Sequence, residues 1–117
     1  MFKLIIAGSR EFNDYSFLKE KIDFLLKNVN EEIEIVSGTA KGADTLGEKY
    51  ANEHKYNLKT FPADWNKFGN SAGYIRNEKM AKYANACVVF WMNNSKGTKH
   101  MIDLAEKYKL KLRIYKR

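Results

Sequence analysis

The sequence predicts an α/β fold, a doubly wound sheet of five parallel strands covered by helices on both faces. Two observations predict it. Short apolar runs alternate with stretches of helical periodicity, in the order β-α-β-α-β-α-β-α-β. Strict alternation of this kind implies parallel strands joined by crossover helices. A third observation concerns function: the segments that break the pattern all fall at the carboxyl ends of the expected strands.

"FKLIIAG" (2–8) reads as a buried strand, and "YSFLKEKIDFLLKNV" (15–29) sets Leu18, Ile22, Leu25, Leu26 and Val29 on one helical face. Asn13 and Asp14 are its candidate caps. "EIEIVS" (32–37) is the second strand. Ala43, Leu46, Gly47, Tyr50 and Ala51 then mark a helix by their i, i+3, i+4 spacing. "NLKTF" (57–61) is the third strand, ended by Pro62, the one proline. "PADWNKFGNS" (62–71) reads as irregular and leads into a helix over 72–84. "ACVVFWM" (86–92) is the most apolar strand and is placed centrally. Met101, Leu104, Ala105 and Tyr108 mark the last helix, and "LKLRIYK" (110–116) alternates as a half-exposed edge strand does.

The 117 residues suit one compact domain spanning 1–117, with no internal repeat or linker. A chain of this size buries roughly two thirds of the surface its unfolded form exposes, so 44% apolar content suffices for a core. Lys and Arg number 21 against 14 Asp and Glu, for a net charge of +7. That excess favours anionic partners such as nucleotides or nucleic acid, although lysines on helices serve solubility as a rule. The single cysteine, Cys87, lies in a strand core and reads as a small buried hydrophobe; no internal disulfide is available, as in a reducing cytosol. No apolar run approaches the ~20 residues of a membrane span, and the first run is too short for a secretory signal. The expectation is a cytoplasmic protein with no membrane partner. No Cys/His spacing suits a metal, no nucleophilic triad stands out, and no cofactor is expected.

In an open parallel sheet, ligands bind beyond the carboxyl ends of the strands where the strand order switches. Four corners lie there: "GSREF", "SGTAKGAD", "PADWNKFGNSAG" and "NNSKGT". In "SGTAKGAD", Gly38 and Gly42 let backbone amides approach an anion, and the following helix start adds positive dipole. The segment is neither a dinucleotide fingerprint nor a Walker A loop, and a tight turn explains it equally well. In "NNSKGT", Gly97 and Thr98 open a helix, with Thr98 toward the inward face; the plain alternative is an N-cap. His100 reads as a surface helix residue, and His54 as a helix-end residue. Arg76 and Asn77 precede Met80 by four and three residues and so share its inward face. Arg76 suits a bidentate grip on phosphate, or else an ion pair with Asp14, Glu11 or Asp44. After the first strand, Ser9 or Arg10 could meet a phosphate and Glu11 a ribose hydroxyl. Trp65 and Phe68 could stack on a base or tie the loop down.

Taken as a set, "IAGSREF", "VSGTAKGADTLGEKYA", "FPADWNKFGNSAGYIRNEKM" and "VVFWMNNSKGTKHMI" resemble the SLOG superfamily. That group includes the Smf/DprA DNA-processing proteins and the LOG-type nucleoside-monophosphate phosphoribohydrolases. The likeness runs over residues 4 to 102 and is nearest to small stand-alone YpsA-like members, often carried by phages and mobile elements. The resemblance implies a Rossmann-like three-layer sandwich of strand order 3-2-1-4-5 that binds a nucleotide or nucleotide-derived ligand. It implies phosphate corners at Ser37 to Asp44 and Ser95 to Thr98; together with the residues read above, the expected ligand set is Gly8, Ser9, Arg10, Ser37, Gly38, Thr39, Gly42, Asp44, Trp65, Arg76, Asn77, Ser95, Gly97 and Thr98. Its members often dimerise, so a homo-oligomer is expected.

LOG enzymes carry P-G-G-x-G-T-x-x-E, and this chain reads Asn93-Asn94-Ser95-Lys96-Gly97-Thr98-Lys99-His100-Met101. Met101 stands at the glutamate position, so binding without hydrolysis is the main expectation. N-glycosidic hydrolysis, with Asp44 or Glu78 as substitute carboxylate, is one alternative. Single-stranded nucleic-acid binding is the other.

Overall fold

Strand β1 (Phe2–Gly8) sends Leu4 and Ile6 to one face and Ile5 and Ala7 to the other, and all four are buried. Both faces of this strand are therefore covered, as a continuous apolar run requires. A computed structural model describes residues 1–117 and places β1 at the centre of a five-stranded sheet of order β3-β2-β1-β4-β5. The other strands are β2 (Ile33–Ser37), β3 (Asn57–Thr60), β4 (Ala86–Trp91) and β5 (Lys111–Lys116), and every pairing is parallel. The helices are α1 (Tyr15–Leu26), α2 (Ala43–Glu53), α3 (Trp65–Phe68), α4 (Ala72–Tyr83) and α5 (Lys96–Lys107).

The expected fold class and strand order are thus observed. Helices α1 and α2 pack Leu18, Ile22, Leu26, Tyr50 and Ala51 against Leu4, Ile6, Ile35, Val88 and Phe90. On the other face, α4 and α5 pack Met80, Ala81, Met101, Ile102 and Ala105 against Ile5, Ala7, Val36, Cys87 and Val89. Truncating a fully buried residue such as Ile5 or Ile22 to Ala costs about 2–5 kcal/mol. Cys87 is a free, buried thiol in the second of these cores.

Asp14 caps α1, accepting the Phe17 amide at 3.1 Å. This helix ends at Leu26, short of the expected Val29, whose amide closes a turn on the Leu26 carbonyl at 3.0 Å. His54 does cap α2, and its ring stacks on Tyr50 at 3.9 Å. The stretch expected to be irregular holds α3, capped by Asp64, and a 3₁₀ turn over Gly69–Ser71. A four-residue helix is too short to leave a hydrophobic period. None of its residues is buried, nor is any residue of the edge strand β3.

Chain order reverses between β1 and β4. From β1 the path runs outward through β2 to β3, then returns to β4 on the other side of β1. The carboxyl ends of β1 and β4 therefore splay into a crevice. No helix is long and apolar enough to cross a membrane.

Candidate functional site

A cleft of about 470 Å³ opens at this switch point. Ala7, Met80 and Met101 give it an apolar floor. Ser9 ties its two sides together: Ser9 Oγ donates to the Met92 carbonyl at 3.0 Å and accepts the Met92 amide at 2.8 Å. The same hydroxyl lies 3.5 Å from Thr98 Oγ1. Thr98 Oγ1 donates to Ser95 Oγ at 3.1 Å, and Ser95 Oγ also accepts the Thr98 amide, which makes Ser95 the N-cap of α5. Trp91 Nε1 pins this corner by donating to the Ser95 carbonyl at 3.2 Å. Asn93 and Asn94 turn the chain with φ of 54° and 52°. The amides of Lys96 and Gly97 have no acceptor within the protein, so the first turn of α5 offers donors and positive dipole.

The corner after β2 is built differently. Ser37 is fully buried; its hydroxyl donates to Glu48 Oε2 at 2.6 Å and accepts the Thr39 amide at 3.1 Å. The Ala40 amide donates to Asp44 Oδ2 at 3.2 Å, and the Ala43 amide donates to the Ser9 carbonyl at 3.3 Å. Gly42 has φ of 78°, and a Cβ there would stand 2.3 Å from the Ser9 carbonyl oxygen. This glycine lets the β1 and β2 corners touch. Its role is packing, and the Thr39, Ala40 and Ala43 amides of this corner are satisfied internally.

Asp44 is 5% exposed. Burial pushes its carboxyl up to about 6, while the Ala40 amide, the Arg76 guanidinium and the Gly38 amide pull it down. Gly38 makes room for this pair: a Cβ there would lie 2.9 Å from both Arg76 Nη1 and Asp44 Oδ2. Arg76 Nε donates to Asn77 Oδ1 at 2.8 Å, and Nη1 donates to the Gly38 carbonyl. Burial draws the Arg76 guanidinium below its usual range; Asp44 opposes this, and the nearby Arg10 adds to it. Asn77 is buried, and its amide lies 3.3 Å from His100 Nδ1. Burial also lowers the His100 imidazole. The neutral ring then accepts from Asn77 through Nδ1 and sits edge-on to Tyr74 at 4.5 Å.

Of the residues expected from sequence, Gly8, Ser9, Arg10, Asp44, Trp65, Arg76, Asn77, Ser95, Gly97 and Thr98 line the cleft together. Gly38 and Thr39 line an adjoining hollow of about 240 Å³ that shares Arg10, Trp65 and Arg76 with it. Ser37 and Gly42 reach neither, because one is locked beneath the sheet edge and the other is pressed against the β1 corner. Glu78 lies outside, between α4 and α5, where it accepts the Tyr108 hydroxyl at 3.0 Å. Phe68 faces a third hollow and not the cleft. Tyr74 and Asn70 also line the cleft, and His100 supports it. Their signal in the sequence is faint, since helical spacing alone does not separate them from a solvated face. Arg76 makes none of the expected ion pairs within 4 Å. Nowhere do three His, Cys, Asp or Glu side chains converge as metal ligands.

Residues 2–68 match the family described as "YspA, cpYpsA-related SLOG family". The chain belongs to that family. The matched span of this SLOG protein takes in the corners after β1 and β2 and stops short of Arg76 and α5. The protein is similar to the Gene 61 protein of Mycobacterium phage D29, at 29% identity over 113 residues, 92% of this chain and 90% of the phage protein. The expected phage-type likeness is therefore observed. Its fold is similar to that of DNA processing protein A (DprA) from Streptococcus pneumoniae, with a TM-score of 0.57 and 16% identity. The likeness covers 98% of this chain and 59% of that one, so the SLOG chain spans little more than half the length of this structural relative.

Proposed function

We infer that the cleft binds a phosphorylated, nucleotide-derived ligand and that its main role is binding, not turnover. The observation that carries this reading is the convergence of Arg10, Arg76 and the free amide of Gly97 on one cleft. Phosphate sits against the first turn of α5, where backbone donors and dipole favour an anion. Gly97 fits this role: a Cβ there would meet nothing within 4 Å, so the fold itself does not demand a glycine. Arg10 and Arg76 neutralise the charge. Trp65, 52% exposed at the rim, offers a stacking face for a base. Asp44 accepts a hydrogen bond from a ligand hydroxyl such as that of a ribose. Membership of a SLOG family and a DprA-like fold support a nucleotide- or nucleic-acid-related role in general. The test is mass spectrometry of whatever small molecule co-purifies with the protein, paired with thermal-shift measurements over a nucleotide panel. Stabilisation by phosphorylated nucleosides and not by the free nucleosides supports the reading; no response at millimolar ligand contradicts it.

One observation favours hydrolysis as a second reading. Asp44 is a buried carboxyl in the cleft with its ionisation raised to about 6, the range that suits acid–base work near neutral pH. Met101, at the position of the LOG glutamate, is buried in the floor and supplies no carboxylate. Release of free base from nucleoside monophosphates or NAD, lost in Asp44→Asn, supports this reading; no release counts against it.

A further inference from the structure

Arg76 lines the main cleft, the adjoining hollow over the β2 corner, and a third hollow of about 200 Å³ over the end of β3. It is the one residue common to all three. Two of the five guanidinium N–H groups are engaged, by Asn77 and Gly38, so the fork keeps donors for an anion. An anion held there has a recess on either side. On the far side the third hollow pairs two cations, Lys59 and Lys79, with the apolar faces of Phe61, Phe68 and Ile75. Neither lysine has a carboxylate within 4 Å. The one acid lining this hollow, Asp64, is occupied in capping α3, where it accepts the Lys67 amide at 3.1 Å. Phe61 is held in place by edge-on packing against Tyr83 at 5.4 Å. An apolar wall flanked by ammonium groups that lack carboxylate partners, with Lys59 Nζ 5.6 Å from the Phe61 ring centroid, fits a second base with its phosphate.

We propose that the ligand is a phosphodiester-linked chain of at least two nucleotides: the first lies in the main cleft, Arg76 holds the linking phosphate, and the second lies over β3 between Lys59, Lys79 and Phe68. This deepens the binding role proposed above and rests on it. The β3 subsite adds affinity for the second nucleotide and none for the first.

The experiment compares adenosine 5′-monophosphate with the linear dinucleotide pApA by calorimetry. Wild type is set against the double variant Lys59→Ala/Lys79→Ala and its conservative partner Lys59→Arg/Lys79→Arg. Both lysines are exposed, and circular dichroism checks that each variant folds. Wild type binds pApA at least about tenfold tighter than the mononucleotide, through added charge-assisted contacts. The alanine variant loses that gain with mononucleotide binding unchanged, and the arginine variant keeps it. A deoxyadenosine 10-mer distinguishes the two sources of the linked pair: tighter binding of the 10-mer than of pApA, lost in the alanine variant, assigns a strand end, and tighter binding of pApA assigns a free dinucleotide. Mononucleotide binding with no gain for pApA, or a gain that survives the alanine variant, overturns the β3 subsite alone. Failure of every ligand to bind overturns the cleft reading as well.

Discussion

Asp44 Oδ2 accepts the backbone amide of Ala40 at 3.2 Å, so the corner after β2 closes on a carboxylate of its own chain. A loop that looks like a phosphate cradle in sequence thus carries an internal anion. Free donors for an external anion are found at the first turn of α5 and on Arg76, which leans against this corner through the Gly38 carbonyl.

That internal carboxylate predicts a stability profile. An ordinary Asp ionises near 3.8, and Asp44 holds its proton up to about 6 in the folded state. Between these values the native protein binds more protons than the unfolded chain, so stability falls as pH rises through the window. The contribution is fully present below about pH 4 and is lost above about pH 6. A shift of this size corresponds to up to about 3 kcal/mol. Urea unfolding of wild type and Asp44→Asn from pH 4 to 8 checks it. Wild type loses stability relative to the variant as pH rises from 4 to 7, and the gap is then constant to pH 8.

The glycines of the two corners separate by substitution. Gly42→Ala forces a left-handed residue against the Ser9 carbonyl and is destabilising, by about 1–2 kcal/mol from the backbone alone and more from the clash. Gly97→Ala meets open space and gains helix propensity of up to about 1 kcal/mol. Thermal melts then move in opposite directions for the two variants. Gly97→Ala, more stable than wild type, binds nucleotide more weakly because its methyl stands where the phosphate approaches the backbone.

Tryptophan fluorescence reports occupancy of the cleft. Trp65 is half in solvent at the rim, while Trp91 is partly buried and hydrogen-bonded to the Ser95 carbonyl. Ligand binding changes the emission of wild type and of Trp91→Phe, and the change disappears in Trp65→Phe. Loss of the indole hydrogen bond destabilises Trp91→Phe by about 0.5–1.5 kcal/mol, read by the same melts.

The sheet was legible in the sequence because each strand of its centre is buried on both faces. The runs at Leu4 to Ala7 and Ala86 to Phe90 therefore carry no polar interruption. The position of Arg76 and Asn77 followed from their spacing to Met80, since a helix carries residues three and four apart on one face. What escaped was set by tertiary contact. Nothing local in "SGTAKGAD" says that the Ala40 amide turns toward Asp44, or that Gly42 is pressed against the Ser9 carbonyl. The pairing of His100 with Asn77 joins two helices, and the burial of its ring follows from that packing. Glu78 shares α4 with Arg76 and Asn77 but is rotated toward Tyr108, away from the cleft.

Under the proposed function, Arg76 holds the phosphate of a nucleotide ligand at the β1–β4 switch point. Calorimetric titration of wild type, Arg76→Ala and Glu78→Ala with adenosine 5′-monophosphate and pApA measures that grip. Wild type binds, Glu78→Ala, altered outside the cleft, keeps the same affinity, and Arg76→Ala loses at least about tenfold, the scale of a charge-assisted phosphate contact. Equal affinity of wild type and Arg76→Ala, or no heat with either ligand at millimolar concentration, would contradict it.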